Sequence, residues 1–99
     1  MALVIDPAGA EISALRKIIH WRSKQVLEVG CGDGRLTLRL AGLGAKKIVA
    51  IDPDTKLIRA ARRNLPNQYE ERILFRVGHA GKMRLKAHQF DVVVFSWVL

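Results

Sequence analysis

The sequence predicts an α/β fold in which a parallel sheet of four strands alternates with helices. Three observations lead there. Apolar residues recur at helical spacing in some segments and in short strand-like runs in others, and the two kinds alternate along the chain. Gly, Pro and Asp separate them at the expected turn positions. The length of 99 residues, 49% hydrophobic and 26% charged, suits one small globular domain and not two. Strands separated by helices require parallel pairing through right-handed crossovers.

The elements follow in order. Asp6-Pro7 opens a first helix whose Ile12, Leu15, Ile18 and Ile19 share a face, and Ser23-Lys24 ends it. Gln25 to Val29 reads as a short buried strand closed by Gly30. A second helix starts near Asp33, carries Leu36, Leu40 and Leu43, and stops at Gly42 or Gly44. Lys46 to Ile51 is the second strand. Asp54 or Thr55 caps a third helix, with Leu57, Ile58, Ala61 and Leu65 inside, that stops at Pro66. Arg72 to Val77 alternates, placing Ile73, Phe75 and Val77 on one face, and Phe90 to Phe95 is the fourth strand. Between them, 78–89 holds a short helix around Lys82 to Ala87 or only a loop.

Composition narrows the function classes. The longest apolar run, Phe90 to Leu99, is interrupted by Asp91 and Ser96, too short to cross a membrane. Met1 to Asp6 lacks the basic start and long apolar core of a signal peptide. Cys31 is the only cysteine, which rules out an internal disulfide and a cysteine-rich metal site; no metal is expected, and the setting expected is cytoplasmic. The net charge of +8 raises an anionic partner, but no basic run exceeds two residues and no aromatics interleave. A solvated basic surface is the simpler account.

The chemistry is carried by Val26-Leu-Glu-Val-Gly-Cys-Gly-Asp-Gly-Arg-Leu-Thr37. A strand feeds a turn with glycines at 30, 32 and 34, and a helix begins at once. Gly30 and Gly32 let the backbone turn sharply and approach a ligand, and the open N–H groups of the helix start favour an anionic group. Glu28, at the strand end, is placed to face a ligand ammonium. Arg35 stands where a dinucleotide fingerprint needs its third glycine, so an amino-acid zwitterion fits this turn better than a pyrophosphate. Cys31 suits the turn as a small residue rather than as a nucleophile. Asp52 ends the second strand about twenty residues after the turn, the offset of an acid that reads a ribose diol, and Pro53 offers an apolar surface beside a base. Asp52 also has a plainer reading as a helix cap, for which Asp54 is the better candidate.

On these residues the chain resembles the N-terminal half of a class I S-adenosylmethionine (SAM)-dependent methyltransferase. Glu28-Val-Gly-Cys-Gly-Asp-Gly34 resembles that family's first motif, Ile48 to Asp52 its second, and Gln89 to Leu99 its fourth strand. The resemblance implies a Rossmann-like sheet in the order 3-2-1-4 and SAM as methyl donor. Gly30, Cys31, Gly32 and Gly34 would hold the methionine part, with Glu28 near its amino group and Asp52 on the ribose. Where the family usually has an acid for the adenine amino group, this chain has His79, followed by Ala80, so adenine contact would fall to one or both. Ser96 lies where residues approach donor and acceptor, as do Trp97 and Val98. No general base stands out; His20, His79 and His88 read as surface residues, and Trp97 as a core or interface aromatic before an acceptor platform.

The family's sheet continues through three more strands that this sequence does not supply. The chain is therefore expected to be a single SAM-binding domain, residues 1–99, without the acceptor half, so that turnover by it alone is not expected. The unpaired edge of the fourth strand, Val92-Val-Val-Phe95, predicts a homodimer or higher oligomer through that strand. Three functions compete: a methyltransferase, a non-catalytic SAM- or nucleoside-binding module, and a basic RNA-associated protein. Among acceptors a small molecule stands slightly ahead of RNA and protein.

Overall fold

The computed structural model describes residues 2–5, 21–79 and 89–96. Its strands are β1 (Ala2–Ile5), β2 (Gln25–Val29), β3 (Lys47–Asp52), β4 (Ile73–Val77) and β5 (Val92–Phe95), joined in one parallel sheet of order β1-β5-β2-β3-β4. Helix α1 (Arg35–Gly42) connects β2 to β3, and α2 (Thr55–Arg63) connects β3 to β4, followed by a 3₁₀ turn at Asn67–Tyr69. The expected first helix from Asp6, the region around Lys82 to Ala87, and Trp97 to Leu99 lie outside the described residues.

Local chemistry accounts for the element ends. Asp54 is the cap of α2: its carboxylate accepts from the Lys56 and Leu57 N–H groups, leaving Thr55 as the first helical residue. Gly34 precedes α1 in a left-handed conformation and gives it no side-chain cap. Arg72 ties the far end together, donating to the Ala41 and Ala45 carbonyls while its guanidinium lies 5.2 Å from the Tyr69 ring centroid. A cation on the last carbonyls of α1 suits the negative end of that helix.

Strand parity sorts the side chains. The ladders align Val26 with Ile48 and Val92, and Ile48 with Ile73. Since side chains alternate between faces, Val26, Ile48, Ile73 and Val92 share a face with Phe75 and Val94. These residues form the core with Leu40 and Ala41 of α1 and Ile58 and Ala61 of α2. Full burial of each large aliphatic side chain contributes about 1.5–3 kcal/mol. Val77 has the same parity but lies at the strand's end and stays exposed, as does Leu57 at the start of α2.

The four expected strands are present in the expected order, read as β4-β3-β2-β5. One expectation is corrected. The far edge of β5 is not open: β1 pairs with it in parallel, with Ala2 opposite Val92 and Ile5 opposite Phe95. The argument for an oligomer through the fourth strand required that edge free, and β1 occupies it. No helix among the described residues is long and apolar enough to cross a membrane.

Candidate functional site

In a parallel sheet the strand ends gather on one edge, and the crevice outside the carboxyl ends is where open α/β sheets bind ligands. Here that edge collects the turn after β2, Asp52 at the end of β3 and Pro53 after it, Gly78 and His79 after β4, and Ser96 after β5.

The glycine turn is built by three left-handed residues, Gly30 (φ 80°), Gly32 (φ 57°) and Gly34 (φ 90°). Gly34 is set by packing: a Cβ there would stand 2.8 Å from Phe75 Cζ and 3.4 Å from Ala61 Cβ. Gly32 is different, since a Cβ there would meet nothing within 4 Å among the described residues. Most N–H groups of the turn are already bonded. Gly30 and Cys31 donate to the Ile51 carbonyl at 2.8 and 3.0 Å, Gly32 to Asp52, and Gly34 to the Cys31 carbonyl. The first turn of α1 has no side-chain cap, which leaves its N–H groups as the donors a helix start offers.

Asp52 holds the two motifs together. Its Oδ2 accepts the Gly32 N–H at 3.0 Å and its Oδ1 accepts the Asp54 N–H at 2.8 Å, and the residue is 8% exposed. A carboxylate has about four acceptor positions, so each oxygen keeps capacity for one ligand hydroxyl. Pro53 and His79 are exposed beside it, and Gly78 donates to the Asp52 carbonyl at 3.0 Å. Val77 is the register partner of Asp52, and Leu57 lies in the first turn of α2. These two exposed apolar residues border the same edge. Sequence reasoning does not single them out, because periodicity assigns each to the core. Ala80 lies outside the described residues.

Glu28 lies below the turn. Parity places it on the Val26 face beneath α1, where it is fully buried. The Thr37 hydroxyl donates to Oε1, and the Ser96 hydroxyl to Oε2 at 2.6 Å. Ser96 also lies 3.0 Å from the Gly30 carbonyl through its hydroxyl and donates its N–H to the Val29 carbonyl. Glu28 thus fastens α1 and the end of β5 to the turn from below. Thr37 escapes the sequence reading, although a polar residue in register with Leu40 and Ala41 on a buried helix face is a usable signal.

Cys31 is buried, and burial first, then the Glu28 and Asp52 carboxylates, push its thiol well above the ordinary range. It stays a protonated packing residue, not a nucleophile. Asp33 and Arg35 form an ion pair at the rim, 3.3 Å apart. No group of three or more His, Cys, Asp or Glu among the described residues can hold a metal ion.

The residues fit SAM at two points: the face of Gly32, clear of the described residues, and the spare acceptor capacity of Asp52 beside apolar Pro53. Comparison with known proteins agrees. Residues 26–99 match the model of a family described as a methyltransferase domain. The chain is 35% identical over 71 residues to the ribosomal protein L11 methyltransferase of Ruminiclostridium cellulolyticum, covering 71% of this chain and 22% of that protein. Among solved structures it is similar to the Trypanosoma brucei PRMT1 enzyme–prozyme complex with AdoHcy, at 29% identity and TM-score 0.68, over 78% of this chain and 24% of that one. A SAM-dependent methyltransferase from Mesorhizobium loti shares the fold with TM-score 0.74 at 24% identity, over 89% of this chain and 39% of its own. The chain thus spans well under half the length of these proteins.

Proposed function

The chain belongs to the methyltransferase domain family, and from that premise we propose that it forms the SAM-binding part of a methyltransferase. The observation that carries the reading is the Asp52 carboxylate, bonded to Gly32 N–H and Asp54 N–H where the face of Gly32 is clear of the described residues. Asp52 takes the ribose hydroxyls, and Pro53, Leu57 and Val77 border the adenine, with His79 as an acceptor for its amino group. The α1 N-terminus and the turn at Gly30, Cys31, Gly32 and Gly34 take the methionine end. Glu28, bonded to Thr37 and Ser96, supports that turn from below, on the side of the methionine amino group.

When bound, SAM supplies a methyl group made electrophilic by its sulfonium. The chain's own contribution is placement: backbone and Asp52 fix the donor, and alignment with an acceptor supplies most of what such a transfer needs. The family does not fix the acceptor. The names of the relatives include enzymes of ribosomal protein, protein arginine and tRNA, and the chain spans 22% of the ribosomal protein enzyme. Acceptor-side residues and turnover are therefore assigned to the whole protein. A cytoplasmic setting belongs to the same reading, supported by a sequence whose one cysteine is a buried free thiol.

Titration calorimetry of the 99-residue chain with SAM and with its demethylated product tests the site. Saturable one-to-one binding of both is expected, and no heat with either refutes the assignment. A methyl-transfer assay on cell extract then separates a catalytic chain from a module that only binds the donor.

A further inference from the structure

Basic residues that look scattered in the sequence are gathered by α2. At about 100° per residue, Lys56, Arg59 and Arg63 fall within about 60° of one another around the helix axis. They lie opposite buried Ile58 and Ala61, and all three are exposed. Along the axis they span about 10.5 Å at about 1.5 Å per residue. No acidic residue stands in the first turn of the helix, and its sequence, Thr-Lys-Leu-Ile-Arg-Ala-Ala-Arg-Arg, holds none further on. The ion pair found among the described residues joins Asp33 to Arg35 at the glycine turn and involves none of the three. None of the three ridge cations is neutralised by a carboxylate among the described residues.

Structure alone does not account for this ridge. Arg62 and Arg63 suit the negative C-terminal end of the helix, and Arg62 also donates to the Phe75 carbonyl at 2.8 Å. Lys56 stands in the first turn, where a cation opposes the helix dipole. Lys56 with Arg59, and Arg59 with Arg63, are like-charge neighbours at helical spacing, each slightly destabilising. A row of unpaired cations on a rigid helix matches a row of phosphates.

We propose that the Lys56–Arg59–Arg63 ridge of α2 is a contact surface for the phosphate backbone of a nucleic acid. Lys56 follows Asp52 closely in the chain, so a strand lying on the ridge has one end near the rim of the site. An anionic membrane fits less well: surface helices insert an apolar face, and that of α2 is spent on the sheet through Ile58 and Ala61.

The test is fluorescence anisotropy of a labelled oligouridylate with the full 99-residue chain, without SAM, between about 50 and 200 mM KCl. Leaving SAM out makes its result independent of the donor-site reading. Three neutralised phosphates give a log–log salt slope of about −2, so the fourfold rise in salt weakens binding by about 20-fold. The K56Q/R59Q/R63Q variant is expected to flatten that slope by about 2. The R22Q/K46Q/K47Q variant loses the same charge from other exposed positions and is expected to keep the parent's slope. Circular dichroism checks that both are folded. No binding by the parent, or equal losses in the two variants, overturns the proposal. So does binding to phosphatidylserine vesicles or polyglutamate that is lost in the ridge variant while oligouridylate binding persists.

Discussion

The Gly32 N–H donates to Asp52 Oδ2 at 3.0 Å across twenty residues of sequence. One hydrogen bond therefore joins the turn after β2 to the end of β3, and disturbing either end disturbs both.

Replacing Asp52 by Ala removes the acceptor for Gly32 and Asp54 together with the ribose contact. SAM binding is expected to weaken by about 1.5–3 kcal/mol, or about ten- to hundredfold in Kd. Asp52→Asn keeps the shape and one carbonyl oxygen, and should fall between Ala and the parent. Calorimetry on folded protein measures this; an Ala variant that binds like the parent removes Asp52 from the site.

The buried Glu28 cluster makes a prediction about stability. Thr37→Val is nearly isosteric but takes a hydroxyl donor from a fully buried carboxyl group. It should cost about 1–3 kcal/mol. Ser96→Ala should cost less, because Ser96 is only half-buried and water can replace its hydroxyl. Urea denaturation reads both, and the order reversed would mean that Ser96, not Thr37, is the main support of Glu28.

Which of these features can be read from the sequence follows from how local their signals are. Gly30, Gly32, Gly34 and Asp52 announce themselves by spacing, and the strand–helix rhythm marks out β2 to β5. The burial of Glu28 is less local: its place at a strand end suggests access, and only its parity with Val26 puts it beneath α1. β1 has no comparable signal: Ala2–Ile5 is four apolar residues without alternation, and its partner Val92–Phe95 lies at the other end of the chain. The α2 ridge is hidden for another reason: residues three and four apart become neighbours only once the helix is drawn.

Cys31 predicts a pH dependence. Burial and the nearby carboxylates raise its thiol in the folded chain, so the native state holds this proton where the unfolded state releases it. A raised folded value means the stabilisation is full below the unfolded thiol's ordinary range near about 8.5 and declines as pH rises above it. Alkylation by iodoacetamide at about pH 8, close to that range, should be slow in the native chain and fast in urea. Rapid native labelling would show the thiol to be accessible and overturn this account.

Gly34 and Gly32 separate folding from binding. A Cβ at Gly34 would sit 2.8 Å from Phe75 Cζ and 3.1 Å from Cε1, in the contact between the turn and β4, at a φ of +90°. Gly34→Ala should therefore lose about 1–3 kcal/mol to overpacking, besides the strain of a left-handed alanine. At about 4–8 °C per kcal/mol for a domain of this size, thermal melting should fall by roughly ten degrees or more. Gly32→Ala meets no atom of the described residues within 4 Å and keeps a φ of +57°, within the left-handed region, so its stability cost is expected to be about 1–2 kcal/mol. Its methyl group, however, projects into the space assigned to the ligand. The expected pair of results is a Gly34→Ala chain that melts early and a Gly32→Ala chain that stays folded but loses SAM binding. If Gly32→Ala binds SAM as the parent does, the ligand does not lie over Gly32.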